Sequence, residues 1–247
     1  MKCRHCQKEC KLTLIDLGSA PPSNAYLTKS DLNRPEKWHP LKVLVCESCW
    51  LVQAEAYSGP DELFNDEYAY FSSFSSHWLE HSSRYVQEMM HRFSLSQTSR
   101  VIEIASNDGY LLQYFKESNI PCLGIEPTAS TVSAARQKGI ETIEEFFGLE
   151  MAKRLCNGGK QADLMVANNV LAHVPDINDF VKGFAALLKP EGVATFEFPH
   201  LMQFIDNKQF DTIYHEHFSY LSFIAVNTIF KSNGLSVFDV QELGTHG

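Results

Sequence analysis

The densest group of acid–base side chains lies in the stretch Tyr214-His-Glu-His-Phe-Ser-Tyr220. Histidine is the side chain best matched to proton transfer near neutral pH, and a carboxylate and phenols beside it can orient a substrate. This stretch is therefore a candidate for acid–base catalysis. Two other interpretations stay open: a buried network in which the groups bond one another, and a metal site, for which a His-x-His pair would need a third ligand from elsewhere.

Four cysteines form two close pairs, Cys3-x-x-Cys6 and Cys46-x-x-Cys49. Two such pairs can supply four thiolates to a closed tetrahedral zinc site, which has no open position for water and is therefore structural. The alternative is a set of unligated core cysteines, which would not naturally produce the same spacing twice. Cys10, His5 and His39 are weaker candidates as ligands. A module this small would depend on metal binding for part of its stability.

A third stretch, Arg100-Val-Ile-Glu-Ile-Ala-Ser-Asn-Asp-Gly-Tyr-Leu-Leu112, has the pattern of a strand, a tight turn and a helix. Small turn residues let the backbone approach a ligand, and the helix directs its first N–H groups at that ligand. A second strand-like run ends at Glu126, where a doubly wound fold uses a carboxylate to bind ribose hydroxyls. The phosphate-binding glycine motifs are absent. S-adenosylmethionine, a nucleoside without phosphates, therefore fits, although an ordinary βαβ unit remains possible.

The residues expected to bind this cofactor lie at or just beyond the ends of the predicted strands. They are Glu103, Ala105, Ser106, Asn107, Asp108, Gly109, Glu126, Pro127, Phe146, Phe147, Asn168 and Asn169. In parallel sheets ligands bind beyond the carboxyl ends of the strands, which gives Asn168 and Asn169 functional weight. The two phenylalanine rings suit an adenine, but adjacent phenylalanines can equally be core residues.

The hydrophobic pattern predicts alternating strands and helices after residue 100. Helices are predicted at residues 77–93, after 111, 129–138, 149–156, 177–188 and 222–232, and strands at 40–46, 101–104, 122–126, within 140–147, 162–169, 193–198 and 236–242. The expected domains are a zinc-binding module (1–60), an aromatic linker with a helix (61–99) and a cofactor-binding domain (100–247).

Composition excludes several classes of protein. The net charge of −9 and the lack of a Lys/Arg-rich run disfavour nucleic acid as the main partner. With no apolar stretch near eighteen residues and no apolar signal core, we expect a soluble, cytoplasmic protein without a membrane partner. Seven cysteines indicate metal ligands or buried thiols in a reducing compartment. The sequence leaves the oligomeric state open.

Taken together, these motifs resemble those of the sugar-nucleotide C-methyltransferase family, which methylates a ring carbon of keto-deoxysugars. The resemblance rests on the two Cys pairs, Tyr68-Ala-Tyr-Phe-Ser-Ser, Glu103-Ile-Ala-Ser-Asn-Asp-Gly109, Asn169-Val-Leu-Ala-His173 and Tyr214-His-Glu-His-Phe-Ser-Tyr220. It implies an α/β fold: a Rossmann-like class I methyltransferase sheet that binds S-adenosylmethionine, with a small N-terminal zinc-binding module. It also implies a C-terminal domain that helps to hold the nucleotide-sugar substrate.

The resemblance also assigns roles in catalysis. It implies that His217 is the base that removes a proton from the sugar, that Tyr214 and Glu216 orient the substrate, and that His173 lies near the sugar. Tyr68 or Tyr70 would close the pocket from the other side. The alternative is that the aromatic stretch around these two tyrosines is a loop that joins domains and packs on the core.

Two departures from the family pattern affect these expectations. Ala105 replaces the first glycine of the family turn. The family chain also continues past Thr245-His-Gly247 into a final strand and a further domain, so strand 236–242 would lack its neighbour and we expect a truncated chain. Two functions therefore stay open: a C-methyltransferase, or a zinc-containing methyltransferase-like module that binds S-adenosylmethionine or a partner without turnover. The acidic balance argues against a third, a nucleic-acid methyltransferase with a zinc knuckle.

Overall fold

The computed structural model describes residues 1–24, 26–57 and 71–244. Backbone contacts divide the chain into two compact units. The antiparallel unit comprises residues 1–63, 171–181 and 198–247, and the parallel unit comprises 64–170 and 182–197. This division differs from the expected domains, because the chain after residue 198 is grouped with the N-terminal residues. Tyr68 and Tyr70 lie outside the described residues.

The helices and strands alternate along most of the chain. In chain order they are β1 (Leu12–Ala20), β2 (His39–Val45), β3 (Val52–Ala54), α1 (Ser76–Arg92), β4 (Val101–Ile104), α2 (Leu112–Glu117), β5 (Cys122–Ile125), α3 (Ala129–Gln137), β6 (Thr142–Ile143), α4 (Leu149–Asn157), β7 (Ala162–Asn168), α5 (Ile177–Leu187), β8 (Leu188–Glu197), α6 (Leu201–Asp206), β9 (Ser219–Tyr220) and α7 (Phe223–Ser232). Of the described helices, none is both long and apolar enough to cross a membrane.

The parallel unit is built on a five-stranded sheet with the order β6-β5-β4-β7-β8, and every neighbouring pair is parallel. The strand order reverses beside β4, so the carboxyl ends of β4 and β7 flank the crevice in which such sheets bind ligands. Its apolar core includes Trp78 of α1 and Phe115 of α2. The expected α/β, Rossmann-like sheet is therefore confirmed.

The glycine in the middle of β5 is explained by its neighbour. A Cβ atom added at Gly124 would collide with the Ser106 side chain, which comes from the turn after β4. The Gly124 backbone therefore gives this turn the room to lie against β5.

The antiparallel unit contains a four-stranded sheet with the order β1-β2-β3-β9. Strand β9, which is formed by the last two residues of the histidine-rich stretch Tyr214–Tyr220, pairs antiparallel with β3 through Val52 with Tyr220 and Gln53 with Ser219. Ile213 and Tyr220 pack in one core cluster with Val43 and Val52. Residues near the end of the chain thus complete a sheet that begins near its start.

Some predicted elements were wrong. Residues 236–242 form no strand, and Phe238 and Val240 are 66% and 63% exposed. Strand β8 begins at Leu188 rather than 193, because Leu188 pairs with Ala162 before a register shift. Strands β1 and β3 were not predicted, although β1 contains an apolar-rich run in Leu12-Thr-Leu-Ile-Asp-Leu17.

The turn after β4 is strained at Ala105. Ala105, Asn107 and Gly109 all have positive φ, at 56°, 48° and 76°. A left-handed conformation costs an ordinary L-residue roughly 1–2 kcal/mol, whereas glycine adopts it freely at an entropic cost of about 0.5–1 kcal/mol. We therefore expect Ala105→Gly to raise the free energy of unfolding by about 0.5–1 kcal/mol in denaturant titrations. The matched change Ala134→Gly, inside α3, should lower it by about 1 kcal/mol. Equal destabilisation by both changes would contradict the strain.

Candidate functional site

The four predicted zinc ligands lie together in the antiparallel unit. The sulfur atoms of Cys3, Cys6, Cys46 and Cys49 all lie within 4.8 Å of one another. Among the described residues this is the one group of His, Cys, Asp or Glu side chains close enough to hold a metal. Four converging thiolates match the donor set of a structural zinc site. The weaker candidate Cys10 is outside this group and accepts a hydrogen bond from the Gln53 amide.

Two tight backbone turns present these thiols. The Gln7 N–H donates to the Cys3 carbonyl and the Trp50 N–H to the Cys46 carbonyl. Gln7 and Trp50 both have positive φ, at 61° and 62°. Each Cys-x-x-Cys pair therefore sits on a knuckle of the same form, which turns both of its sulfur atoms towards one point.

In the parallel unit, the carboxylate that is predicted to bind the ribose hydroxyls is held in place by backbone N–H groups, one of them from the turn after β4. Glu126, the residue that follows β5, accepts the Asn107 N–H on Oε2 (3.0 Å) and the Thr128 N–H on Oε1 (2.9 Å). Burial raises the pKa of Glu126, and these N–H donors oppose that rise. Each carboxylate oxygen has a second lone pair, so the pair can still accept two hydroxyl groups.

Several buried polar atoms around this crevice have no partner among the described residues. They are Ser106 Oγ, Asp108 Oδ1, Ser130 Oγ, Asn168 Nδ2 and Asn169 Oδ1. Buried polar atoms are normally hydrogen-bonded, so such a group at the carboxyl ends of β4, β5 and β7 indicates a polar ligand. These residues therefore fit a nucleoside cofactor. Ser130 was not predicted, although a hydroxyl residue in the first turn of the helix after Glu126 is a recognisable signal.

Glu103 lies inside β4 and is fully buried. Burial raises its pKa well above the usual value, and the nearby Tyr110 side chain opposes this rise. The nearby Glu126 and Asp108 carboxylates raise the pKa further. The neutral acid can donate a hydrogen bond where a carboxylate could only accept one.

A short segment before α1 is tied to the same turn. Asn107 Oδ1 accepts the N–H groups of Ser72 and Asp108, each at 2.9 Å. Lys138 Nζ donates to Asp108 Oδ2 (3.2 Å) and to Ser73 Oγ (2.7 Å). The aromatic and hydroxyl-rich stretch thus reaches the predicted cofactor turn through its last residues. Lys138 was missed by the sequence analysis.

The two phenylalanines after β6 have different surroundings. Phe147 packs edge-to-face on Phe184 of α5, with ring centroids 5.4 Å apart, and a Cβ added at Gly183 would meet its ring. Phe146 is 47% exposed. Phe147 therefore has a packing role in the core, and only Phe146 offers an open ring face.

In the antiparallel unit, the histidine-rich stretch forms a hydrogen-bonded cluster. His217 Nδ1 donates to the Thr212 carbonyl (2.8 Å), so Nε2 carries the lone pair that accepts the Tyr214 hydroxyl (2.9 Å). The ring of His173 lies 4.6 Å from that of His217, and its Nδ1 donates to the Glu216 carbonyl.

Both imidazoles in this cluster are neutral at pH 7. Burial lowers the pKa of His217 to about 4. Burial, followed by the effect of the His217 charge, lowers the pKa of His173 to about 3. A neutral imidazole is the form that can accept a proton.

The Glu216 carboxylate is held by the loop that follows β1. Its Oε1 accepts the Asn24 amide (2.6 Å) and the Ser23 hydroxyl (3.2 Å). Burial raises the pKa of Glu216, and these two donors oppose the rise. His215 donates from Nε2 to the carbonyl groups of His39 and Pro40. The predicted catalytic residues Tyr214, Glu216, His217 and His173 are thus gathered in one unit.

Comparison with known proteins places the chain in a family. The family model described as "Methyltransferase domain" matches residues 78–240. The chain belongs to the methyltransferase family. Ahead of this domain, the model described as "Putative zinc binding domain" matches residues 3–64, which include the four clustered cysteines. The cofactor of this family is S-adenosylmethionine, and the unpartnered polar atoms of the parallel unit fit it.

The chain is also similar to a named methyltransferase. The C-methyltransferase NovU of Streptomyces niveus is 34% identical over 246 residues, which is 100% of this chain and 58% of that protein. The chain thus spans somewhat more than half the length of this curated relative.

Two solved structures share the fold. A SAM-dependent methyltransferase from Archaeoglobus fulgidus aligns with a TM-score of 0.50 at 16% identity, over 65% of this chain and 74% of that one. YcgJ from Bacillus subtilis aligns with a TM-score of 0.50 at 17% identity, over 66% and 71%. At such identities the likeness concerns the fold alone.

Proposed function

We propose that the protein is an S-adenosylmethionine-dependent C-methyltransferase that acts on a nucleotide-linked keto-deoxysugar through an enolate. The observation that carries this proposal is the half-buried pair of His217 and Tyr214, which places a neutral imidazole lone pair against a phenol hydroxyl at 2.9 Å. Similarity to NovU, a protein named as a C-methyltransferase, over the full length of this chain supports the same chemistry.

Methylation of carbon beside a ketone requires a base and a group that stabilises the enolate oxygen. His217 Nε2 would take the proton as the C–H bond breaks, and the electron pair would move to the carbonyl oxygen. S-adenosylmethionine, when bound, would supply the methyl group, whose bond to sulfur would break as its bond to the enolate carbon forms. The Tyr214 hydroxyl would donate to the oxygen that becomes negative.

The hydrogen bond between Tyr214 and His217 has a consequence for this step. While the phenol donates to Nε2, the lone pair that must take the proton is occupied. If the Tyr214 hydroxyl donates to the substrate carbonyl instead, the lone pair of His217 Nε2 becomes available. The same hydrogen bond polarises the ketone. With a pKa of about 4, His217 is a weak base, so stabilisation of the enolate by Tyr214 must offset that weakness.

The four cysteines have no direct part in this chemistry. Four thiolates would close the coordination shell of Zn²⁺ and leave no position for substrate. Their role in the proposal is to hold the unit that carries the histidine cluster.

The proposed function is tested by incubating the protein with methyl-labelled S-adenosylmethionine and a panel of nucleotide-linked keto-deoxysugars. Label should appear on a ring carbon beside the ketone. The matched controls are the same sugars with the ketone reduced, which lack an acidic C–H bond and should stay unlabelled. Cofactor binding by calorimetry without transfer to any sugar would contradict the enzyme and support a binding module without turnover.

The proposed ribose contact gives a separate prediction. Glu126→Ala should weaken binding of S-adenosylmethionine by about 1.5–3 kcal/mol, the usual value of a hydrogen bond to a charged group. Calorimetry measures this effect, and Glu117→Ala, which removes an exposed carboxylate at the last residue of α2, is the control. Because Glu126 also holds the turn through Asn107 and Thr128, thermal unfolding without ligand must be compared. Unchanged affinity in a folded variant would reject the assignment.

A further inference from the structure

Arg4 lies inside the first cysteine knuckle and reaches the residue that follows His217. Its backbone N–H donates to Gln53 Oε1 (2.9 Å) and its Nη2 donates to the Ala54 carbonyl (3.0 Å). The guanidinium carbon lies 4.9 Å from the centre of the Phe218 ring, a cation–π distance. Arg4 therefore contacts strand β3 and the histidine-rich stretch at the same time.

Within the described residues, the charge of Arg4 is poorly compensated. Its Nε atom is buried without a hydrogen-bond partner, and no carboxylate in the described part of the chain forms an ion pair with it. A partly buried charge without a counter-charge is costly. With zinc bound, the four thiolates carry more negative charge than the two positive charges of Zn²⁺ can neutralise. The loaded site therefore has a net negative charge, and Arg4 directly follows one of its ligands in the chain.

Phe218 connects this guanidinium to the candidate base. Phe218 is buried, its carbonyl accepts the Ala54 N–H (3.1 Å), and its neighbours in the chain are His217 and the first residue of β9. Because Arg4 bonds the Ala54 carbonyl and covers the Phe218 ring, a change at Arg4 acts on both supports of Phe218. His217 must follow any shift of that backbone.

We propose that Arg4 is a positioning residue that couples the metal site to the histidine cluster: the loaded metal site holds the guanidinium, and the guanidinium holds Phe218 and thereby the orientation of His217. The coupling is reciprocal, so changes at the Phe218 end also affect the metal. That this cluster supplies the base rests on the proposed function, but the coupling can be tested without turnover.

The test uses the zinc-loaded protein and two readouts. One is the rate of zinc release to a chromogenic chelator, and the other is the ¹⁵N chemical shift of the His217 imidazole. Arg4→Met should speed release about tenfold, the lower end for lost partners around metal ligands, and should shift the His217 signal. Arg4→Lys should restore slow release because it keeps the charge, but not the His217 signal, because an ammonium lacks the planar guanidinium fork.

The control is Lys8→Met, which removes an exposed cation two residues from Cys6 and should change neither readout. If Arg4→Met fails to fold, Phe218→Leu tests the same link from the other end, and it should both shift the His217 signal and speed zinc release. The coupling would be overturned if Arg4→Met released zinc at the wild-type rate. It would also be overturned if the His217 signal stayed unshifted in Arg4→Met or in Phe218→Leu. Failure of methyl transfer in the sugar assay would leave both readouts unaffected, so the two proposals can fail separately.

Discussion

Replacing His217 with asparagine should lower methyl transfer by about 10²–10⁴-fold, the usual contribution of general acid–base catalysis, and leave the affinity for S-adenosylmethionine unchanged. Asparagine can still donate to the Thr212 carbonyl that fixes the ring, so the local structure should persist. What it lacks is the basic lone pair that His217 Nε2 presents to Tyr214. The expected loss is therefore one of proton transfer rather than of folding.

Two measurements separate these effects. Exchange of the sugar C–H hydrogen for deuterium reports proton removal without methyl transfer, and calorimetry reports cofactor binding. His215→Asn is the matched control, because the Nε2 atom of His215 bonds backbone carbonyls of β2 and takes no part in the cluster. If exchange and methyl transfer persist near wild-type rates in His217→Asn, the cluster is structural.

The lowered pKa values of the two clustered histidines also give an expected pH dependence of stability. Both pKa values lie below the usual 6.5, at about 4 for His217 and about 3 for His173, because burial disfavours the charged form. The unfolded chain therefore binds these protons first as the pH falls. The stability that the two neutral histidines contribute is fully present above about pH 6.5 and is lost as the pH falls through their pKa values in the folded protein. Denaturant titrations from pH 7 to 4 should show falling stability, and less so in His217→Asn.

Removal of zinc should unfold the antiparallel unit. Structural zinc sites in zinc-finger peptides contribute about 10–16 kcal/mol of binding free energy, which equals or exceeds the roughly 5–15 kcal/mol that stabilises a typical domain. In this unit, loss of the metal would leave four converging thiols without a ligand between them. It would also release the two knuckles, one before β1 and one between β2 and β3. Elemental analysis should find one zinc per chain, and amide exchange should show the unfolding.

The parallel unit provides the internal reference for this experiment. Its core around Trp78 and Phe115 contains none of the four ligands, so its amides should keep more of their protection after chelation. Cys46→Ser should reproduce the effect of the chelator, whereas Cys156→Ser, at a cysteine in α4 outside the group, should not. Protein purified without zinc but with protected amides in β2 and β3 would show that the cysteines are merely core residues.

The parallel sheet could be predicted well because its signals are local. The strand, turn and helix that begin in residues 100–112, and the position of Glu126 directly after β5, each follow from short-range patterns. The cysteine pairs likewise predicted their own convergence, because few structures other than a metal site need that spacing twice.

The remaining features depend on contacts between residues far apart in the chain. Residues 236–242 have a strand-like sequence, but a strand also requires a neighbour with which to pair, and none of the described strands pairs with them. The hold of Ser23 and Asn24 on Glu216, and of Arg4 on Phe218, bridges about two hundred residues. No periodicity within a short window reports such partners.

The pairing of β3 with β9 imposes an order on synthesis. Strand β3 is complete at Ala54, but its partner emerges from the ribosome only after Tyr220 is made. At roughly 5–20 residues per second, this interval lasts on the order of ten to thirty seconds, during which β3 presents an open edge. An early-bound zinc ion, whose ligands are all translated by Cys49, would hold the nascent knuckles in register through that wait, so metal supply during translation should affect the yield of folded protein more than metal added afterwards.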